Sequence, residues 1–429
     1  MSDEAVVPCV IIGGGVMGLS AACAIQERRA ADHLSPAVLM EQHQVVEHKL
    51  GSSHGPSRIT RTAYTDPVFA KLMKRSHQLW HHLAASTDVP LFSECGGLMI
   101  GQKDAPAMTS VIQALKETQA PFEILQPAEC NRRFPGVELT ESYIAVVDNT
   151  AGVLFADRII STLKARFVAF GGTLCCDRRV VSLDVQSDDR IVITSQDGNP
   201  HGMTQTKSTE PSFAPATFTT VASRVVLAVG AWLPSLLAQA PIISSQFVKA
   251  MRNLQVEMSL DVQEVTVSYW KIKPEFQDAY SLNKGFPVFI DMDAAPGLVY
   301  GLPEQDKPGY MKLCLHRGPS IAADGRSFTP AEEIWTQFAP YVDKLFPGLD
   351  VKTPPFTETC MYTMTKDEHF LIDRHPQHRN LIIAGGFSGH GFKLSPVVGE
   401  MLAQLALDAP LAYDMAPFSF EHHWKVSSL

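Results

Sequence analysis

Residues 13 to 18, Gly13-Gly14-Gly15-Val16-Met17-Gly18, narrow the choice of fold more than any other stretch of the chain. They follow an apolar run, AVVPCVII, and precede a run in which small and apolar residues recur at helical spacing. Strand, tight turn and helix in that order open a parallel α/β unit. Each glycine of Gly13-x-Gly15-x-x-Gly18 meets a physical need of such a turn: the first permits the bend, the second lets a pyrophosphate reach the backbone, and the third lets helix pack on strand. The free N–H groups at the helix start favour phosphate. A second strand, PAVLMEQ, ends in Glu41, whose carboxylate can accept hydrogen bonds from both ribose hydroxyls. Together they predict a dinucleotide site, with FAD and NAD both compatible.

The same segment, Ala5 to Ile25, is apolar enough to mimic a signal peptide or membrane span. Asp3 and Glu4 stand before it where a signal carries positive charge, the glycines break its middle, and Gln26, Glu27, Arg28 and Arg29 follow as a helix surface would. The expectation is a soluble protein with no membrane partner. A length of 429 residues exceeds what one hydrophobic core sustains, so two domains are expected. A net charge of -9 without a basic stripe argues against nucleic acid. Eight scattered cysteines without CxxC spacing read as reduced thiols of an intracellular protein, and no metal site is expected.

Parallel α/β grammar returns in SRVVLAVGAWLPSLL, a buried strand closed by Gly230 and followed by a helix, and in RNLIIAGGFSGHGFKLSPVVGEMLAQLAL, a strand, glycine-rich turn and helix. Residues 66 to 86 have helical spacing, VIQALKETQ reads as a surface helix, and AGVLFADRIISTLKARFVAFGG as a helix capped by Gly171 and Gly172. FSECGGLMIGQ is a strand with a glycine turn. Residues 245 to 320 alternate with period two in EVTVSYWKI, FPVFIDM, LVYGLP and YMKLCLH, which predicts an antiparallel sheet. Residues 187 to 223 are polar around RIVITS and read as a surface hairpin and loop without catalytic importance.

The fold class expected is therefore α/β with an α+β second domain: a Rossmann-type nucleotide-binding domain interleaved with a substrate domain on a mixed or antiparallel sheet. The boundaries assigned are 5–92, 150–236 and 364–429 for the first domain, and 93–149 and 237–363 for the second. Gly/Ser-rich EHKLGSSHGPSRITRTAY carries His54, Arg58 and Arg61, either a solvated loop or a set of functional cations. In TETCMYTMTKDEHFLID the residues alone favour Cys360 as a buried filler.

Four stretches, GSSHGPSRITRTAY, YGLPEQDKPGYMKLCLH, CMYTMTKDEHFLIDRHP and GFSGHGFKLSPVVGE, resemble the monomeric sarcosine oxidase family of FAD-dependent amine oxidases. The likeness runs in order from about residue 8 to about residue 418. It implies FAD joined by a thioether from Cys360 to the flavin 8α-methyl, a step suited to a thiolate beside positive charge. His54 and Arg58 match residues beside the flavin ring. Gly13, Gly15, Val16, Met17, Gly18, Glu41 and Ser53 match the dinucleotide cradle, Val180, Gly230 and Trp232 further cofactor contacts, and Gly389, Gly391 and Lys393 the turn whose N–H groups serve flavin oxygens.

The resemblance further implies a small secondary amino acid as substrate, its carboxylate held by Arg61 and Lys393, with Tyr300 and Tyr362 in the pocket. His316 and Tyr362 are placed to set the proton balance of an amine that must be neutral to react. Lys312 matches the lysine that assists electron transfer to O2, giving H2O2. The catalytic set is then Lys312, His316, Arg58 and His54. A monomer is implied, in the peroxisome or otherwise the cytoplasm; Ser427-Ser428-Leu429 is an imperfect form of the S-K-L signal. The residues leave open a flavin dehydrogenase that uses a protein acceptor, a silent flavin-binding module, and the choice among sarcosine, L-pipecolate and L-proline.

Overall fold

The computed structural model describes residues 6–197, 215–238, 260–295, 297–330 and 332–427. Two compact units emerge, each assembled from separated stretches of chain: Met1–His54, Ile160–Val262 and Tyr362–Leu429 form the first, and Gly55–Ile159 and Gln263–Met361 the second. By contacts, residues 55–92 and 150–159 pack within the second unit, whereas the sequence division grouped them with the nucleotide-binding segments.

A six-stranded sheet lies in the first unit, in the order Leu371–Arg374, Leu381–Gly385, Val225–Leu227, Val10–Ile12, Val38–Met40 and Thr173–Cys175. All neighbours pair parallel except the edge strand Leu371–Arg374. Val10, Ile11, Val225, Val226 and Leu227 are fully buried, which explains their unbroken apolar runs: a strand covered on both faces has no side to keep polar. Helices Val16–Ala31 and Ser395–Ala406 pack closely because Gly399 leaves room for the Ser20 carbonyl, which a Cβ there would meet at 2.7 Å.

A three-stranded antiparallel sheet, Arg178–Val185, Ile191–Asp197 and Thr217–Ala222, completes this unit. The hairpin around RIVITS is thus present and gains a third strand that the Thr-rich composition concealed. Residues 198–214 of the expected loop lie outside the described residues.

The second unit is built on a sheet of eight strands, in the order Phe356–Met364, Asp261–Lys271, Tyr310–Leu315, Val299–Leu302, Val288–Asp291, Gly97–Gln102, Tyr143–Asp148 and Phe122–Leu125. From Asp261–Lys271 to Phe122–Leu125 the pairings are antiparallel apart from Val288–Asp291 with Gly97–Gln102, so the period-two alternation correctly foretold a largely antiparallel sheet. One face packs on Trp270, Phe289, Phe338 and Phe346. A small sheet of Ser57–Thr60, Gly152–Phe155 and Phe92–Ser93 corrects the reading of residues around Arg58 as a loop. Arg58 is a strand residue there, paired with Leu154. The helix expected over 66–86 spans Pro67–Ala84, its first turn closed by the Asp66 side chain accepting from Val68 N at 2.7 Å. Among the described residues no helix is long and apolar enough to cross a membrane.

Candidate functional site

In the first unit the glycine turn has the geometry its sequence requires. Gly13 has φ +107°, and a Cβ on it would lie 2.4 Å from the Ala228 carbonyl oxygen. A Cβ on Gly18 would lie 1.8 Å from the carbonyl oxygen of Gly13, so helix and strand could not approach as they do. Gly15 differs: its nearest neighbour would be the Ser53 hydroxyl at 3.1 Å, which leaves the backbone open above the helix start. Ser53 Oγ accepts from Val16 N at 3.0 Å. Glu41 is buried at the end of its strand, with Oε2 accepting from Gly14 N at 2.7 Å and Oε1 from His43 N at 2.9 Å. Burial pushes the Glu41 carboxyl above its usual range, and the backbone N–H groups of His43, Gly14 and Gln42 oppose that shift.

These residues fit a dinucleotide: an uncluttered Gly15 backbone at a sixteen-residue helix start, and beside it a carboxylate that the fold has already desolvated. Met17 packs against Gly391, where a Cβ would meet its Cε at 2.6 Å. His54 Nδ1 lies 2.6 Å from the Gly51 carbonyl oxygen, and Trp232 packs edge-on to His43 at 6.0 Å. Gly230 has φ +55° with open space where a Cβ would be, and Val180 marks a bulge in its strand. Gly389 takes φ +72° in the turn that leads to Lys393. Lys393 is buried, and its Nζ donates to the His390 carbonyl at 3.1 Å. Tyr362 is counted with this unit, at the end of the strand that carries Cys360.

In the second unit Lys312 is not the solvated lysine that an apolar strand usually tolerates. It is 5% exposed, and its Nζ donates to Asp306 Oδ2 at 3.2 Å and Ser57 Oγ at 3.3 Å. Asp306 Oδ2 also accepts from Ser57 Oγ at 2.5 Å and Tyr269 OH at 3.4 Å, while Gln305 Nε2 donates to Oδ1. Burial, followed by the negative charge of Asp306, pushes the Tyr269 phenol well above its usual range. The sequence reading missed Asp306, Ser57 and Tyr269. A detectable trace of the first was the acid in the loop before Lys312.

Cys360 is buried against Val267, Tyr269 and Cys314, with Tyr300 and Tyr310 packed on the cluster. A fourth missed residue, Arg326, brings a guanidinium to this strand: its Nε donates to Thr359 Oγ1 at 2.8 Å and its Nη2 to the Thr359 carbonyl. Burial lowers the Arg326 pKa, and the charge interaction with Cys360 opposes that most strongly. Nothing in the polar stretch around Arg326 signalled this placement. Tyr300 pairs across the sheet with Cys314, and its ring stands edge-on to His316 at 6.0 Å. Arg61, 7% exposed, holds its guanidinium 4.2 Å above the Tyr64 ring. Arg58 is half-buried, its Nη1 donating to the Ser57 carbonyl at 2.7 Å. None of the eight cysteines is in a disulfide.

Comparison with known proteins agrees with this geometry. The sequence profile of the DAO family, FAD dependent oxidoreductase, matches residues 9–405. Peroxisomal sarcosine oxidase of Mus musculus is 32% identical over 413 residues, 95% of this chain and 94% of that protein. Monomeric sarcosine oxidase of a Bacillus species is 30% identical over 415 residues, covering 96% and 94%. Among solved structures, L-proline dehydrogenase from P. horikoshii matches with a TM-score of 0.74 at 19% identity, covering 98% of each chain. The amino acid oxidase NikD matches at 0.73 and 20%, covering 96% of each. At those identities the structures attest to the fold alone. With the glycine turn, the buried Glu41 and a profile match over most of its length, this chain belongs to the DAO family of FAD-dependent oxidoreductases.

Proposed function

We propose that this protein oxidises the C–N bond of a small secondary amino acid, sarcosine or a cyclic relative such as L-pipecolate, to the imine, with O2 reduced to H2O2. The observation that carries the reading is the burial of three motif cations, Arg61, Lys312 and Lys393, each less than a tenth exposed. Lys312 has its counterion in Asp306, and Arg61 and Lys393 are two desolvated cations of the kind that recognise a carboxylate strongly. FAD, when bound, supplies the two-electron acceptor.

The chain's own residues supply recognition and proton control. Arg61 and Lys393 are assigned to the substrate carboxylate, the planar guanidinium giving orientation and the ammonium a point charge. Tyr300, Tyr362 and His316 are assigned to the substrate amine, which must be neutral for its lone pair to assist departure of the hydride. Gly13, Gly15, Val16, Met17, Gly18, Glu41 and Ser53 hold the dinucleotide; Val180, Gly230, Trp232, Gly389 and Gly391 complete its surroundings. His54 and Arg58 would hold its ring system. Cys360 is assigned as its covalent anchor, supported by the positive charge of Arg326, which is bonded to the neighbouring Thr359. A monomer fits the names of the bacterial relatives, and a peroxisomal location that of the mouse relative. Residues 428 and 429 of the C-terminal signal lie outside the described residues.

A second reading, an amino-acid dehydrogenase with another electron acceptor, is favoured by one observation: the cation assigned to oxygen is neutralised by Asp306 at 3.2 Å. One experiment separates the readings. Purified protein is mixed anaerobically with N-methyl and cyclic amino acids while flavin bleaching is followed, and air is then admitted. An oxidase regains its colour rapidly with stoichiometric peroxide; a dehydrogenase stays bleached until an artificial acceptor is added. Absence of bleaching with every amine rejects both.

A further inference from the structure

Away from the residues assigned to cofactor and substrate, a compact group of metal-ligating side chains lies in the first unit. The turn after the strand Phe356–Met364 carries Asp367 and His369, and the C-terminal helix Phe420–Ser427 carries His422. Asp367 Oδ2 is 2.6 Å from His422 Nε2 and 3.2 Å from His369 Nδ1, and the ligand atoms of all three lie within 4.8 Å of one another. We propose that Asp367, His369 and His422 form a binding site for a divalent transition-metal ion, zinc being representative, that clamps the C-terminal helix to this turn.

The donor set decides the class of ion. Two imidazoles and one carboxylate suit zinc and its neighbours in the transition series and do not suit magnesium or calcium, which demand more oxygen ligands. Bond lengths of about 2.0 to 2.1 Å put tetrahedral ligand atoms roughly 3.3 Å apart. The contact to His369 already has that separation, and the contact to His422 must open by less than 1 Å. His422, Asp367 and His369 keep 29%, 21% and 16% side-chain exposure, enough to admit an ion and leave a fourth position for water.

The surrounding bonds orient the ligands. His369 N donates to Asp367 Oδ1 at 3.2 Å, which turns Oδ2 toward both rings. His390 Nε2 donates to the Glu368 carbonyl at 3.0 Å and fixes the turn from below, while Lys366 Nζ donates to the Val426 carbonyl at 3.0 Å and draws the helix to it. His423, adjacent in the chain, is excluded as a ligand, since its Nε2 bonds the Phe370 carbonyl at 3.0 Å. Among the described residues the other such group, Glu41, His43 and His48, is set aside because Glu41 is assigned to the dinucleotide site. Ligation needs neutral imidazoles and an ionised carboxylate, so the site releases protons and weakens in acid.

The test uses the flavin-loaded full chain, stripped with EDTA, equilibrated with zinc chloride, desalted and assayed for metal by mass spectrometry. A single zinc per chain is expected, with less than a tenth of it left in His422→Gln and in His369→Gln, and no competition from magnesium. Zinc should also raise the melting temperature of the unaltered protein and leave that of His422→Gln where it was. On the unaltered protein, zinc should shield His369 and His422 from diethyl pyrocarbonate, read by peptide mass; this arm stands whether or not the variants fold. Failure to retain zinc, equal retention in folded His422→Gln, or no shielding of these two rings overturns the proposal.

Discussion

Lys312 and Asp306 form an ion pair at 3.2 Å with their side chains 6% and 5% exposed, and Ser57 and Tyr269 donate to the same carboxylate oxygen. A pair so far from water owes its stability to completeness, because each charge alone is expensive to bury. It also places a full negative charge beside the cation assigned to oxygen.

Removing one partner exposes both facts. Lys312→Met leaves the Asp306 carboxylate uncompensated and should destabilise the fold by about 3 to 5 kcal/mol, while Lys312→Met with Asp306→Asn should recover much of the loss. If Lys312 assists oxygen, reduced Lys312→Met reacts more slowly with O2 in stopped flow and Asp306→Asn more quickly. Oxygen rates unchanged in both variants reject that role and leave a structural ion pair.

Acid-precipitated protein should stay yellow and Cys360→Ala should not, since Ala retains the packing of the cluster but has no sulfur to bond the flavin. Arg326→Gln should slow covalent incorporation while non-covalent flavin still binds. Flavin mass on the peptide containing residue 360 is the measurement; a colourless denatured wild-type chain removes the anchor from the account.

The three motif glycines should fail differently. Gly18→Ala drives a methyl to 1.8 Å from a backbone oxygen and should prevent folding of the first unit. Gly15→Ala meets only a hydroxyl at 3.1 Å and should fold, yet bind FAD at least tenfold more weakly, about 1.4 kcal/mol. Glu41→Gln should likewise fold and lose FAD affinity by roughly 1 to 3 kcal/mol. Apoprotein circular dichroism separates folding from fluorimetric flavin titration.

Two histidines supply a stability profile against pH. Burial lowers the pKa of His375 from 6.5 to about 4, and burial, with smaller effects of His43 and His54, lowers that of His48 from 6.5 to about 3. The unfolded chain therefore takes up protons first, so the stability of keeping these rings neutral is complete above about pH 6.5 and is lost as pH falls toward 4 and then 3. Each group contributes on the order of 1.4 kcal/mol per pH unit inside its window. His375→Gln should flatten the melting-temperature profile between pH 6.5 and 4; an unaltered slope assigns the effect elsewhere.

Arg61→Ala should raise the KM for the amino acid far more than it lowers kcat, because the guanidinium is assigned to a carboxylate that is unchanged by the reaction. Steady-state kinetics on the preferred substrate decides; an equal fall in kcat would move Arg61 to the chemical step.

Local geometry was legible in the chain itself. The positive φ at Gly13, the close approach of Gly18 to the Gly13 carbonyl and the bonds from Gly14 and His43 to Glu41 lie within one strand-turn-helix-strand unit, so residue type and spacing suffice to state them, whereas the crowding of Gly13 by the Ala228 carbonyl is long-range. Period-two alternation likewise announced the antiparallel sheet, because each face of a strand reports its own solvent. What escaped was long-range. Ser57 meets Asp306 across 249 positions and Lys312 across 255, and Arg326 reaches Thr359 across 33, with no pattern linking the partners. A buried charge can be recognised as paired only when the packing that removes its water also delivers its counterion, and here that packing brings the strand of Lys312 together with a loop and with a strand of the small sheet.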